Sequence, residues 1–286
     1  MSQQAPSPLA AVRDVLLGVA VDGEHTEPSS ALGYGLTLAK AAGAHLTVQS
    51  ASWRFTGDDA WLGDFDDEGF ARIDQRLDAL ARAVADRTAG DAKQAGVICT
   101  TEAGSLSYPD LVSRLALRAR LHDLVVLDAG PQSFDIDHEM IEKALLLSGR
   151  PVIAVPSGHG PFQARKVIVA WDGSAQAARA ANDAMPILRT AETVEIVVVG
   201  DEAEIEASVP GAEFAPHLAR HGVNVTVNDL PNLGGVADRL RAQAGLFQAD
   251  LIVMGAYRHS RAREFLFGGV TRALLRSSPV PLFLSH

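Results

Sequence analysis

Residues 166–173 read Lys-Val-Ile-Val-Ala-Trp-Asp-Gly, and residues 14–23 read Asp-Val-Leu-Leu-Gly-Val-Ala-Val-Asp-Gly. Each is an apolar run that opens on charge and closes on Asp-Gly. An unbroken apolar run of this length suits a strand buried on both faces, as in parallel sheets. Two further matches follow. Asp123–Gly130 (DLVVLDAG) pairs with Asp250–Tyr257 (DLIVMGAY), and Arg150–Pro156 (RPVIAVP) pairs with Val280–Ser285 (VPLFLS). The offsets are 150 at Asp22/Asp172, 127 at Asp123/Asp250 and 130 at Pro151/Pro281. The chain is therefore an internal repeat. Its second copy is shorter between the first strand and the DLIV strand, where the first copy carries an acidic stretch around Asp58–Glu68.

Between the apolar runs lie Ala- and Arg-rich amphipathic stretches. Strands alternating with helices imply right-handed crossovers and a parallel sheet. In the first copy the pattern predicts strands near 14–21, 45–50, 97–101, 123–128 and 151–155, and helices near 28–42, 71–95, 107–120 and 137–147. In the second it predicts strands near 166–171, 194–199, 223–228, 250–254 and 280–284, and helices near 175–189, 203–221, 233–247 and 262–276. The expected fold class is α/β: two tandem five-stranded doubly wound parallel-sheet domains, each of strand order 3-2-1-4-5, forming a pseudo-dimer. The expected domains are 1–158 and 161–286, joined at Pro156–Pro161 (PSGHGP), where Pro and Gly discourage regular structure. In such a sheet a ligand binds beyond the strand carboxyl ends where strand order reverses, between the first and fourth strands. Asp172 and Gly255 then line one crevice.

Composition narrows the function. The 286 residues hold 25 Lys and Arg against 35 Asp and Glu, a net charge of −10. That sign argues against nucleic acid as a partner. The imbalance is uneven: residues 1–160 are net −9 and residues 161–286 net −1, so an anionic ligand meets less repulsion at the second copy. No apolar run reaches the ~18–20 residues of a membrane span. The N-terminus MSQQAPSPLA lacks the basic and apolar regions of a secretory signal. A cytoplasmic location is expected. A single cysteine, Cys99, leaves no intrachain disulfide or Cys-cluster metal site.

The stretch Gly255–Thr271 (GAYRHSRAREFLFGGVT) follows the fourth strand of the second copy. With the repeat and the strand that ends in Asp-Gly-Ser, it resembles the universal stress protein family in its tandem two-domain form. The resemblance covers nearly the whole chain and is closer in the second copy. Nucleotide-binding members of that family carry Gly-x2-Gly-x9-Gly-Ser/Thr. Its glycines let backbone N–H groups approach phosphates, and a following helix start adds a favourable dipole. Here Gly255 and Gly268 fit, whereas Arg258 stands at the middle glycine and Gly269 at the Ser/Thr position. Arg258 either obstructs the phosphate bed or pairs with a phosphate. Thr271 offers a substitute hydroxyl. The resemblance implies adenine and ribose contacts at Ala170, Asp172 and Val199, with Met254 just before the first glycine. The candidate site is thus Ala170, Asp172, Val199, Met254, Gly255, Arg258, Gly268, Gly269, Val270 and Thr271, with ATP or a related adenine nucleotide as ligand.

Local charge agrees. Residues 255–286 are net +4, and the matching segment 129–155 is net −2 and lacks the glycine pattern. The first copy reads as degenerate at its ligand site. Against a ligand in the second copy stand plainer roles: glycines that make a tight turn, arginines on a solvated helix face, and aspartates at 22 and 172 that cap the next helix. Tyr257 and His259 either stack on a base or have no role. His217 and His221, four apart on a predicted helix, have no third ligand beside them, so no metal is expected. Trp53 and Trp61, in the acidic insertion 51–70, mark a contact surface or pin that loop. Cys99 reads as strand filler. There is no Gly-x-Ser-x-Gly elbow and no Gly-x4-Gly-Lys-Ser/Thr loop, so no catalytic residue is assigned. Three readings stand: a stress-response binding protein sensing a nucleotide, a ligand-free interaction module with an unknown protein partner, and a slow nucleotide hydrolase. The resemblance also implies pairing through the last strand of each copy, internally or as a homodimer.

Overall fold

A computed structural model describes residues 7–21, 29–53, 67–130, 134–200, 210–256 and 269–286. The first half runs β1 (Asp14–Val21), α1 (Ser30–Ala42), β2 (His45–Trp53), α2 (Asp67–Ala95), β3 (Cys99–Leu106), α3 (Tyr108–Ala119), β4 (Leu124–Ala129), α4 (Phe134–Ser148) and β5 (Val152–Pro156). The second runs β6 (Lys166–Ala170), α5 (Ala175–Asp183), α6 (Met185–Leu188), β7 (Thr193–Gly200), α7 (Gly211–Arg220), β8 (Val225–Pro231), α8 (Val236–Phe247), β9 (Leu251–Gly255), α9 (Gly269–Ser277) and β10 (Leu282–Ser285). The predicted helix over 175–189 divides, because Pro186 has no N–H to continue α5 and instead opens the short turn α6.

The ten strands of the described residues form one sheet in the order β3-β2-β1-β4-β5-β10-β9-β6-β7-β8. Each half therefore has the expected order 3-2-1-4-5. Pairing is parallel within each half and antiparallel where β5 meets β10, with Ile153 opposite Phe283. Both of these side chains are buried. Each half's last strand thus covers the other's edge, which would otherwise present a row of unpaired backbone groups. Helices pack on both faces, and one continuous apolar cluster on each face crosses from half to half.

The repeat persists at atomic level. Asp123 at the foot of β4 accepts from the N–H groups of Arg13 and Asp14 at 2.7 and 3.0 Å. Asp250 at the foot of β9 does the same for Arg165 and Lys166, both at 2.8 Å. These clamps, with Val15 opposite Leu124 and Val167 opposite Leu251, make Asp14 the equivalent of Lys166, an offset of 152. That corrects the sequence match of Asp22 with Asp172 at 150. β1 has eight residues and β6 five, so Ala20 stands level with Asp172 and Asp22 falls two places beyond. Asp22 itself lies outside the described residues.

The segment between the halves docks on α1. Phe162 N–H donates to Thr37 Oγ1 at 2.8 Å, and its ring meets Tyr34 edge-on at 5.4 Å. His159 lies 5.9 Å from the same tyrosine. Burial lowers the His159 pKa, while the Asp250 carboxylate pulls it the other way. The folded chain resists a proton that the unfolded chain accepts, so stability is complete above the ordinary histidine range and declines as pH falls through it. Urea unfolding at pH 8 and pH 5 should show a smaller midpoint difference in His159→Gln than in the unsubstituted chain; equal differences would contradict this.

Candidate functional site

β6 ends at Ala170 and delivers Trp171 and Asp172 to opposite sides of the sheet edge. Trp171 turns toward α5 and α7, where its ring stacks on Phe214 at 3.9 Å and 8°. The stack continues through His217, 5.5 Å from Phe214, to His221, 4.8 Å further, and His217 Nε2 lies 3.3 Å from Asn182 Oδ1. No group of three or more metal-ligating side chains occurs among the described residues. The ring contacts make the two histidines an extension of the Trp171–Phe214 stack on α7.

Asp172 shapes the turn into α5. Its Oδ1 accepts from Ser174 N–H at 3.0 Å, and Ser174 Oγ accepts from Ala177 N–H at 3.1 Å as the helix cap. Gly173 between them has φ 72°, which a side chain would strain. Gly255 has a different reason to be glycine. A Cβ there would lie 2.6 Å from Ala177 N and 2.6 Å from the Gln176 carbonyl carbon. The first turn of α5 thus rests directly on the end of β9.

On the other face, Ala170, Val199, Met254 and Val270 join one apolar cluster, with Met254 opposite Ala170 in the parallel register. Leu230 from β8 and Val236 from α8 complete this floor. Sequence reading missed both, because Leu230 stands beyond the run that predicted β8. Gly269 opens α9 and is exposed, while Thr271, two residues on, is buried. So an apolar floor, Asp172 and the start of α9 gather around the carboxyl ends of β6 and β9. Arg258, Gly268, Tyr257 and His259 lie outside the described residues, as do Trp61 and the Trp53 side chain. Cys99 opens β3 partly exposed, with its thiol pKa raised by burial.

The first half differs at the same place. Asp128 holds the position of Gly255, and its Oδ1 accepts from Ala31 N–H at 2.9 Å. Ser30 N–H and the Ser29 side chain also bond to this carboxyl. Burial raises its pKa against those three bonds, which lower it. Asp137 on α4 accepts from Gly130 N–H at 3.0 Å, and Glu139 accepts from the Tyr108 hydroxyl at 2.9 Å. That hydroxyl's pKa lies well above the usual phenol value, through burial first and then Glu139.

Two doubly wound halves sharing one sheet define a tandem α/β protein, and in folds of this class ligands bind where strand order reverses. Residues 163–286 match the universal stress protein family. A universal stress protein from Archaeoglobus fulgidus DSM 4304 is similar across 95% of this chain and 95% of its own, at 17% identity and TM-score 0.67. A functionally unknown protein from Pseudomonas aeruginosa PAO1 is similar across 97% and 93%, at 14% identity and TM-score 0.58. No curated protein matches the chain. No helix among the described residues is long and apolar enough to cross a membrane.

Proposed function

We propose that this is a cytoplasmic stress-response binding protein whose second half, 161–286, takes ATP or a related adenine nucleotide, and whose first half, 1–158, is a copy with a degenerate ligand site. The observation that carries the reading is the apolar floor of Ala170, Val199, Met254 and Val270 beside Asp172 at the strand-order reversal. A base suits such a floor, and a ribose hydroxyl suits the Asp172 carboxylate. The phosphates then fall to the arginine-rich Gly255–Thr271 segment, with Arg258, Gly268, Gly269 and Thr271 as the candidate contacts. The antiparallel β5–β10 pairing supports reading the halves as an internal pseudo-dimer. Mass spectrometry of small molecules released from denatured purified protein tests the proposal: an adenine nucleotide is expected, and a different ligand class would refute it.

One observation favours the ligand-free interaction module instead. Packing of α5 alone explains Gly255, and the turn into α5 alone explains one contact of Asp172. Hydrolysis is the weakest reading, for want of a phosphate-loop lysine. ATP turnover by the purified chain should stay far below the ~1 s⁻¹ of an ordinary enzyme. Turnover in that range, abolished by one crevice substitution, would make the protein an enzyme.

A further inference from the structure

The last turns of α3 and α4 meet at the amino end of the first half's strands and leave large apolar side chains in water. Leu117, Leu121 and Leu147 are 56%, 69% and 43% exposed, and Leu146 is 37% exposed. Single exposed leucines need no explanation, but four around one pair of helix ends form a patch. Arg120 ties the two ends together: its Nε donates to the Leu147 carbonyl at 3.1 Å, and Arg150 donates to the Arg120 carbonyl at 3.4 Å. Arg114 and Arg118 pair with Glu102. Among the described residues, Arg120 and Arg150 bond carbonyl oxygens and no carboxylate. The patch is thus apolar with a positive rim, in a chain of net charge −10. The second half shows that the fold does not require it. Counted back from the Asp123 and Asp250 clamps, Gln248 stands at the place of Leu121. Counted back from Val152 and Leu282, which pair with the second residues of β4 and β9, Arg276 and Ser277 stand for Leu146 and Leu147. The last turn of α8 exposes one leucine, Leu246.

We propose that this patch receives the acidic insertion of a second copy of the chain, so that the protein associates head to tail. Asp58–Asp66 (DDAWLGDFD) holds four aspartates and no base, together with Trp61, Leu62 and Phe65. Its charge and its apolar side chains complement the patch. The segment lies outside the described residues, but its anchors do not: Trp53 closes β2 and Asp67 opens α2. α2 then packs back along β2 and β3 to the start of β3, so both anchors stand at the carboxyl end of the strands. The patch stands at the opposite end. The nine residues of β2 span about 30 Å. A loop of residues 54–66, tied at both ends, reaches at most about 23 Å from its anchors. A molecule's own insertion therefore falls short of its own patch, whereas a neighbour's does not. A contact between two different surfaces is heterologous and passes from copy to copy unless a ring closes.

Sedimentation of the full chain over a range of concentrations tests this. At low salt the average mass should rise with concentration above that of one chain, and it should fall back at about 1 M salt, where the Debye length is about 3 Å. One variant breaks the patch with the residues of the second half, Leu121→Gln and Leu147→Ser. The other breaks the insertion, Trp61→Ala with Asp64→Asn and Asp66→Asn. Each alone should associate at least about 10-fold more weakly. Mixed, they should form a dimer and nothing larger, because the intact insertion of the first fits the intact patch of the second. That rescue also shows that both variants are folded; if the double patch variant does not fold, Leu147→Ser takes its place. A single-chain mass at every concentration, full association by either variant alone, or no dimer in the mixture would overturn the proposal. So would binding to phosphatidylserine vesicles that the patch variant loses, which would assign the patch to a membrane. Titration with ATP reads the second half separately, so failure of one reading does not entail failure of the other.

Discussion

Gly255→Val is expected to destabilise the protein by about 3 kcal/mol, at the upper end for an overpacked site. The new Cβ would lie 2.6 Å from the Ala177 nitrogen and the Gln176 carbonyl carbon. Both are backbone atoms of a helix first turn, so no rotamer change relieves the contact, and α5 must lift from β9. The same helix packs against β9 and β10, so the movement reaches the strand that joins the halves. Gly269→Ala serves as the control, since nothing lies within 4 Å of a Cβ at that position. Chemical denaturation of both variants checks the prediction, and a Gly255→Val chain as stable as Gly269→Ala would contradict it.

The second large effect concerns Asp172. If its carboxylate bonds a ribose, Asp172→Ala should weaken ATP binding by about 10–100-fold, the range of a hydrogen bond to a charged group. Loss of the turn into α5 is a competing cause, because Asp172 Oδ1 also accepts from Ser174 N–H. Ser174→Ala separates them. It removes the cap on Ala177 N–H and costs about 1 kcal/mol of stability, yet leaves the carboxylate in place. Equal weakening of ATP binding in both variants would assign Asp172 to the turn alone.

The repeat and the alternation of strands with helices were legible in the sequence because buried parallel strands write themselves as unbroken apolar runs. Strand registers were not. The Asp-Gly pairs at 22 and 172 suggested an offset of 150, whereas the backbone clamps on Asp123 and Asp250 require 152. A two-residue slip keeps every side chain on its face, so apolar patterning cannot detect it. The reasons behind particular residues were also hidden. Gly255 fits a phosphate-binding spacing, yet its closest neighbours are backbone atoms of α5. Asp128 reads as one more acid in an acidic segment, and only the fold sets it at the head of α1, nearly a hundred residues earlier in the chain. The break of α5 at Pro186 was legible in principle from the proline, but the strong apolar periodicity around it masked the signal.

Calorimetric titration of the full chain with ATP, beside Gly268→Val and Arg258→Gly, tests the central claim most directly. One nucleotide per chain is predicted. Gly268→Val should abolish binding by crowding the phosphate segment, and Arg258→Gly should change the affinity, upward if the arginine obstructs and downward if it pairs with a phosphate. Two nucleotides per chain, no binding at all, or binding unchanged in Gly268→Val would contradict the account.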